Sequence, residues 1–284
     1  MKIVFNQCSF QYQTLASSRT NVLRNISLEL NSGELVAVVG STGSGKTTFL
    51  QQLNQLLIPT QGSVQIYDQY PNLEIVDVKQ IRRQIGLVFQ FPESQFFEET
   101  VYKEISFGLK QFKLSEAEVH DRVYSVMDQV GLTPDVFASR IPFDLSGGEK
   151  RRVAIACILV LQPEFFVLDE PTAGLDANNA QRIESILKRI HQSGKSVVFV
   201  SHDMDLVARL AQRVLVFHDG EIIFDGSIPD LFENNDLLNL AKLERPRVQQ
   251  YMIELHEKGY PFHTKIYDLE EAQNHILQIL HSNS

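Results

Sequence analysis

The sequence contains a glycine-rich turn between a strand pattern and a helix pattern, and this order limits the folds that the chain can adopt. Residues 40–47 read Gly-Ser-Thr-Gly-Ser-Gly-Lys-Thr and match the pattern G-x-x-x-x-G-K-S/T in full. An apolar run, Leu35 to Val39, precedes the turn. Glycines let backbone N–H groups turn inward around phosphate oxygens at a helix N-terminus. The candidate nucleotide-binding residues are Gly40, Ser41, Thr42, Gly43, Ser44, Gly45, Lys46, Thr47 and Thr48.

Two side chains of this turn carry specific chemistry. Lys46 supplies a positive charge to the outer phosphates, and the Thr47 hydroxyl is placed to ligate Mg²⁺. The order of strand, turn and helix argues against a glycine-rich turn that binds nothing. The turn alone leaves open kinases, GTPases, motor proteins and transport ATPases.

The rest of the chain predicts an α/β fold with a mostly parallel core sheet. Leu35–Val39, Phe165–Leu168 and Val197–Val200 are apolar runs of strand length, typical of strands buried on both faces. The first thirty residues indicate further strands, which we expect to be antiparallel. Late in the chain, Asp219-Gly220 between two apolar runs predicts a tight hairpin.

Two regions depart from the strand–helix alternation. A helical subdomain is predicted at about 95–150, inserted into a domain that spans 1–228. Residues 229–284 are predicted to form a C-terminal helical extension with two amphipathic helices. The first begins near Pro246 and is expected to bury Val248, Tyr251, Met252 and Leu255. The second begins at Asp268, which resembles a capping-box residue with Glu271, and is expected to carry Leu269, Ala272, Ile276 and Leu280 on one face.

Composition excludes some function classes. The net charge of −9 disfavours a general electrostatic grip on nucleic acid, so no nucleic-acid partner is expected. Cys8 and Cys157 have no metal or redox spacing and are expected to be reduced thiols. The longest near-continuous apolar run, Val153–Leu161, is far shorter than the ~20 residues that cross a bilayer. With no signal peptide visible, any membrane role is expected to be peripheral and through a partner.

Five further segments accompany the turn in a fixed order. Gln90 comes first, followed by Leu145–Glu149 (Leu-Ser-Gly-Gly-Glu), Phe165–Glu170 (Phe-Phe-Val-Leu-Asp-Glu), Ala173–Asp176 (Ala-Gly-Leu-Asp) and His202. Together with the turn they resemble the Q-loop, signature, Walker B strand, D-loop and switch histidine of ATP-binding cassette (ABC) ATPases. The resemblance implies a P-loop NTPase fold that binds ATP and Mg²⁺ and acts as a dimer.

The residues support this resemblance on physical grounds. Asp169 ends an apolar strand, so its carboxylate can hold Mg²⁺ through water, and Glu170 is the candidate general base. His202 follows another apolar strand and can hydrogen-bond the γ-phosphate and the attacking water. Gln90 is suited to sensing Mg²⁺ and water. An isolated Asp-Glu pair or histidine would more often be a solvated surface group, and it is the surrounding motifs that change this interpretation.

The signature segment predicts a role toward a second subunit. Ser146, Gly147 and Gly148 form an anion-receptive nest before a helix. In the ABC family this nest meets the γ-phosphate bound to the other subunit, with the D-loop residue Asp176 nearby. Glu149 departs from the family's usual glutamine, and the sequence does not give the direction of its effect on affinity.

Tyr12 is the candidate aromatic for stacking on adenine, and Phe10 is the competing choice. Tyr12 precedes Lys46 by 34 residues, more than is usual for the family. We attribute the difference to an extra polar loop at Thr14–Asn21.

The stretch after Gln90 narrows the resemblance. Residues 91–101 read Phe-Pro-Glu-Ser-Gln-Phe-Phe-Glu-Glu-Thr-Val and resemble the same stretch in energy-coupling factor (ECF) transporter ATPases, above all the second ATPase of heterodimeric complexes. These proteins work in prokaryotic uptake of vitamins and metal ions. Exposed aromatics (Phe96, Phe97) among acids (Glu93, Glu98, Glu99) would suit a groove for an arginine-bearing helix of the transmembrane coupling subunit.

The resemblance thus implies a set of partners and a place in the cell. The partners are a second, homologous but distinct ATPase, the coupling subunit near residues 90–101, and, indirectly, a substrate-binding membrane subunit. The location is the cytoplasmic face of the cell membrane. The alternatives are the ATPase of another ABC importer and a soluble, non-transport ABC ATPase. The latter usually has a long coiled-coil insertion, a zinc hairpin or two cassettes, and this sequence has none of these.

Overall fold

The computed structural model describes residues 1–12, 21–69 and 73–282; most of the extra loop expected at 14–21 lies outside them. The strands, in chain order, are β1 (Lys2–Gln11), β2 (Asn21–Asn31), β3 (Leu35–Gly40), β4 (Gln61–Gln69), β5 (Leu73–Glu74), β6 (Ile85–Val88), β7 (Phe165–Asp169), β8 (Ser196–Val200), β9 (Arg213–His218) and β10 (Glu221–Gly226). The helices are α1 (Lys46–Leu53), α2 (Val78–Gln84), α3 (Val101–Phe107), α4 (Glu116–Gln129), α5 (Pro134–Phe137), α6 (Gly147–Leu159), α7 (Ala177–Gln192), α8 (Met204–Leu210), α9 (Ile228–Glu233), α10 (Asn235–Ala241), α11 (Arg247–Glu257) and α12 (Leu269–Ser282).

The core sheet confirms the predicted parallel architecture. In the described part of the chain its order is β10-β9-β3-β8-β7-β6. Every neighbouring pair is parallel except β9 and β10. All residues of β3, β7 and β8 are buried, because helices cover both faces of a parallel sheet. The carboxyl ends of these three strands meet at one edge, where the predicted site residues follow them.

The predicted hairpin joins β9 to β10. Asp219 and Gly220 both have positive φ, 47° and 83°, as a two-residue turn with the twist of the strands requires. Phe217 pairs with Gly40 across the β9–β3 ladder. The hairpin therefore ends directly beside the start of the glycine-rich turn.

The N-terminal strands form a second, antiparallel sheet of order β2-β1-β4-β5 within the described residues, as predicted for β1 and β2. A shared core joins the two sheets. The Phe49 ring of α1 lies 5.1 Å from the rings of both Phe5 in β1 and Phe217 in β9. Helix α1 is thus fixed between the sheets, and with it the turn that precedes it.

The helical region between β6 and β7 contains α3 to α6, as the sequence predicted for this part of the chain. Its buried side chains, such as Val101, Val123 and Val153, belong to the same core as the outer face of the parallel sheet. Ser115 and Glu118 form a capping box at the start of α4. The boundary of the helical subdomain at 95–150 remains a prediction.

The C-terminal part differs from the prediction in its number of helices. Four helices follow residue 227, because α9 and α10 precede the two that were predicted. Leu231, Phe232 and Leu238 of these short helices pack into the main core, whereas Met252 and Ala272 belong to a small separate core. Within the described residues, α11 and α12 thus have a small core of their own.

Three side chains of the predicted buried faces are exposed instead. Tyr251 is 64%, Leu269 71% and Leu280 54% exposed. At 100° per residue they lie at the margins of faces centred on Met252 and Ala272, so the surrounding chain does not cover them. No helix in the described part of the chain has the length and apolar composition needed to cross a membrane.

Candidate functional site

The glycine-rich turn is shaped by the strand beside it. Gly40 has φ 139°, and a Cβ at this position would overlap the carbonyl oxygen of Phe217. Gly45 begins α1 with a left-handed backbone, φ 104°. The side chain of Lys46 folds back over the turn, where Nζ donates hydrogen bonds to the carbonyl oxygens of Gly40 at 2.7 Å and Ser41 at 2.9 Å. Burial lowers the pKa of Lys46, although Glu170 and Asp169 oppose this effect.

Thr47 and Asp169 lie together as expected for a magnesium site. The Thr47 hydroxyl donates to Oδ2 of Asp169 at 2.8 Å. Burial raises the pKa of Asp169, and the bond from Thr47 acts against it. Gln90 lines the same cavity of about 380 Å³. A hydroxyl, a carboxylate and an amide oxygen are hard oxygen ligands, so these residues fit Mg²⁺ held jointly with phosphate and water.

Glu170 is the most perturbed carboxylate of the site. It is buried, its φ is 50°, and its N–H donates to the carbonyl oxygen of Val200 at 3.2 Å. Burial, with a contribution from Asp169, raises its pKa to about 7. Its Oε1 is 3.2 Å from Nε2 of His202 but has no hydrogen-bond partner among the described residues. This buried oxygen accepts no hydrogen bond from the described residues, which makes it the candidate proton acceptor of the site.

His202 is half-exposed at the end of β8. Burial and then the charge of Lys46 lower its pKa from 6.5. The imidazole is therefore neutral at pH 7, with one nitrogen as donor and the other as acceptor. His202 lines the cavity together with Gly43, Gly45, Lys46, Thr47 and Thr48.

The structure distinguishes between the two aromatic candidates of the first strand. Phe10 is buried, whereas Tyr12 is 44% exposed. The Tyr12 hydroxyl lies 3.2 Å from Oγ1 of Thr48 in the first turn of α1. Tyr12 is thus the aromatic side chain that borders the glycine-rich turn, and its stacking on adenine remains a prediction.

The signature residues lie outside this cavity. None of Ser146, Gly147, Gly148 and Glu149 is in the lining that Lys46 and Glu170 share. Ser146 caps α6, and its N–H and hydroxyl both donate to Oε2 of Glu149 at 2.8 Å. Burial would raise the pKa of Glu149, but these bonds, together with the charges of Arg140 and Arg152, outweigh it and lower the pKa. The nest thus has a charged carboxylate at its edge.

Asp176 connects the D-loop to the signature through a residue that the sequence did not indicate. Asp176 caps α7 by accepting from the backbone and side-chain nitrogens of Asn179, at 2.9 Å and 2.7 Å. The Asn179 side chain lies against Gly148 so closely that a Cβ on Gly148 would overlap it. The sequence shows Asn179 only as a residue in the first turn of a helix, and this position does not predict a contact with Gly148.

The C-terminal extension also reaches the site, which the sequence did not indicate. Residues 242–245 and Arg247 border an adjoining cavity together with Glu170 and His202. The Arg247 N–H donates to Oδ1 of Asp205 at 2.7 Å, three residues after His202. The start of α11 is thereby attached to the segment that follows the switch histidine.

The structure differs in one respect from the groove expected after Gln90, because one of its two predicted aromatic side chains is buried. Phe96 is 7% exposed and belongs to the same buried core as Val101 and Ile105. The exposed aromatics of this surface are Phe91, Phe97 and Phe107, at 61%, 60% and 43%. Glu98 and Glu99 are paired with Lys110 and Lys103. The Glu93 side chain lies outside the described part of the structure. We therefore define the coupling surface as the exposed rings of Phe91, Phe97 and Phe107.

Comparisons with known proteins agree with this site. The ABC transporter family matches residues 23–173. The energy-coupling factor transporter ATP-binding protein EcfA2 of Caldanaerobacter subterraneus subsp. tengcongensis is 42% identical over 281 residues, 99% of this chain and 98% of that protein.

Two solved structures share the fold. The structure of cbiO1 from Clostridium perfringens, part of the ABC transporter complex cbiONQ, has a TM-score of 0.73 and 29% identity, covering 90% of this chain and 96% of that one. The ATP-binding cassette MJ0796, a dimer bound to ADP and Pi in a post-hydrolysis state, has a TM-score of 0.71 and 29% identity, covering 80% and 98%. The chain therefore belongs to the ATP-hydrolysing ABC transporter ATPases, and among them to the energy-coupling factor transporter ATP-binding proteins.

Proposed function

We propose that this chain is one of the two ATPase subunits of an energy-coupling factor transporter and powers uptake of a vitamin or a metal ion. The observation that carries the proposed chemistry is the buried Glu170 carboxylate, which has a free oxygen beside His202 and a pKa near 7. The relatives named as energy-coupling factor ATP-binding proteins support the biological role.

ATP hydrolysis is assigned to the residues around the glycine-rich turn. Lys46 exchanges its bonds to Gly40 and Ser41 for the β- and γ-phosphates. Thr47 and Asp169, with Gln90, would hold Mg²⁺ partly through water, and the bound ion would supply positive charge against the phosphates. Glu170 takes the proton of the attacking water, and the neutral His202 donates a hydrogen bond to the γ-phosphate.

Ser146, Gly147 and Gly148 serve the partner's nucleotide rather than this chain's own. Their absence from the lining of the Lys46 cavity supports this division. Asp176 lies at the same interface, because its bond to Asn179 joins the D-loop to Gly148. We infer that the partner ATPase is a distinct homologous chain, by resemblance to the heterodimeric complexes.

The coupling surface is proposed to receive a helix of the transmembrane coupling subunit. The Phe97 and Phe107 rings meet edge-on at 4.7 Å, and both are more exposed than aromatic side chains of a packed core. The substrate-binding membrane subunit would act indirectly, through the coupling subunit. This arrangement puts the chain at the cytoplasmic face of the membrane as a peripheral subunit.

Purification of the tagged chain from its native membrane, with mass spectrometry of the partners, tests the assignment. We expect a second ATPase and a coupling subunit, and Phe97→Ala should release the coupling subunit while the ATPase pair remains. Tyr251→Ala, at an equally exposed aromatic of the C-terminal extension, serves as the control. Recovery of substrate-specific membrane subunits of another importer class would instead favour the generic ABC importer.

A further inference from the structure

The turn of the β9–β10 hairpin makes direct contact with the glycine-rich turn. The Gly220 N–H donates a hydrogen bond to the carbonyl oxygen of Ser44 at 3.1 Å. Ser44 itself is buried, at 3% exposure. The hairpin turn, which has no motif residue of the ABC family, is thus bonded to the middle of the phosphate-binding loop.

Three backbone segments meet at one point beside this bond. A Cβ on Gly220 would lie 2.7 Å from the carbonyl oxygen of Val22, and a Cβ on Gly45 would lie 2.7 Å from the same oxygen. Both glycines have positive φ, 83° and 104°. Neither position therefore has room for a side chain, and a shift of one segment is transmitted to the other two.

Strand β2 fixes the hairpin turn from the other side. The Arg24 N–H donates to the Gly220 carbonyl oxygen at 2.8 Å, and its guanidinium bonds the carbonyl oxygen of Asp219. The same guanidinium lies 3.5 Å from a carboxylate oxygen of Glu221. The position of Gly220 is thereby fixed by hydrogen bonds on both sides.

This contact has a consequence for the orientation of the loop. In a trans peptide the C=O and the following N–H point in opposite directions. The bond from Gly220 holds the Ser44 carbonyl toward the hairpin, so the N–H of Gly45 points away from it, and Gly45 lines the nucleotide cavity. We propose that Gly220 is a positioning residue, which keeps the Ser44–Gly45 peptide oriented so that its N–H binds phosphate.

The proposal rests on the phosphate-binding role proposed for the glycine-rich turn, and a matched pair of variants tests it. Gly220→Ala and Gly33→Ala place the same side chain at nearly the same φ, 83° and 82°, but nothing lies within 4 Å of a Cβ on Gly33. The Kd of the isolated full-length chain for a fluorescent ATP analogue is measured alongside its melting temperature. We expect both variants to melt earlier, and only Gly220→Ala to raise the Kd, by about tenfold, because a hydrogen bond to a charged phosphate is weakened.

An equal Kd for the two variants would overturn the proposal. If Gly220→Ala does not fold, Arg24→Ala decides, since it removes the side-chain bonds to Asp219 and Glu221 without adding an atom. Its control is Arg189→Ala, whose guanidinium bonds the distant carbonyl of Gln129. A Kd that rises about threefold for Arg24→Ala alone supports the proposal, because the guanidinium bond to Asp219 is lost while the Arg24 N–H still bonds Gly220; an unchanged Kd overturns it.

Lys46→Ala separates this inference from the proposed function. Lost binding in Lys46→Ala with normal binding in Gly220→Ala would overturn only the positioning role. Unchanged binding in Lys46→Ala would instead show that the glycine-rich turn is not the phosphate site, and both proposals would fall.

Discussion

Glu170 combines features that its residue type does not predict. The sequence placed a carboxylate after a buried strand, and the structure adds a left-handed backbone and a buried oxygen without a hydrogen bond. A non-glycine residue in this conformation costs about 1–2 kcal/mol. The surrounding strands hold it there, since its N–H is bonded to Val200. Such strain depends on tertiary packing, so it could not be predicted from neighbouring residues.

The raised pKa of Glu170 predicts a specific pH dependence of stability. The pKa rises from 4.5 to about 7 on folding, so the folded state binds more protons between these values, and stability falls as pH rises through this window. Glu170→Gln removes the buried charge. The variant should match the wild type near pH 4 and exceed it by on the order of 2–3 kcal/mol at pH 8. Denaturant unfolding at several pH values measures the difference.

The exposed Glu118 provides the control for this measurement. Hydrogen bonds from the Ser115 backbone and side chain lower its pKa. Its native charge therefore favours folding at neutral pH, and Glu118→Gln should give no gain at pH 8. A pH-independent difference between Glu170→Gln and the wild type would contradict the burial of an ionisable Glu170.

Glu149 should weaken the affinity of the signature for the partner's nucleotide. Its carboxylate occupies the N–H and hydroxyl of Ser146, and its negative charge repels a γ-phosphate. In the assembled complex, Glu149→Gln should lower the KM for ATP about three- to tenfold at low salt, with a smaller change at high salt. Glu118 belongs to an equivalent capping box at the start of α4, where the N–H and hydroxyl of Ser115 donate to it at 2.8 Å. Glu118→Gln should therefore leave the KM unchanged. A higher KM in Glu149→Gln would contradict the repulsion.

At the scale of elements, long periodic segments were predictable and short ones were not. The buried strands and the α7 face of Ile183, Ile186, Leu187 and Ile190 follow from apolar pattern alone. Helices α9 and α10 have 6 and 7 residues, too few for a period to stand out. Phe96 was assigned to the surface because acids surround it in sequence, but the buried Glu104 caps the N–H groups of Phe97 and Glu98 and turns Phe96 inward.

The last two helices should unfold locally without unfolding the parallel sheet. Met252 is 1% exposed in the small core of α11 and α12. Met252→Ala should cost this unit about 2–4 kcal/mol and accelerate amide exchange in α12, because the unit has a core of its own. The exposed neighbour Tyr251→Ala should have little effect. Equal exchange in the two variants, or exchange that accelerates throughout the parallel sheet, would contradict a separate core.

At the scale of the molecule, the residues around the glycine-rich turn and the signature residues lie apart in this chain. Lys46, Asp169, Glu170 and His202 meet at the carboxyl edge of the parallel sheet, as their positions after three strands predicted. The contacts that connect this edge of the sheet to the signature helix were not predictable from the sequence, since they depend on tertiary packing. Arg151 of α6, for example, donates to the carbonyl oxygen of Phe89 at 3.2 Å, next to Gln90. A displacement of α6, the helix that follows the signature, can therefore be transmitted to Gln90 through the Arg151 side chain.

We propose that this chain supplies half of each of two ATP sites. In the complex with its partner ATPase, Glu170→Gln stops turnover at this chain's own glycine-rich turn, and the remaining turnover takes place at the partner's site. That turnover should need Ser146 of this chain, so adding Ser146→Ala to Glu170→Gln should abolish it while ATP binding by the isolated chain stays unchanged. If the double variant hydrolyses ATP as fast as Glu170→Gln alone, the signature does not complete the partner's site.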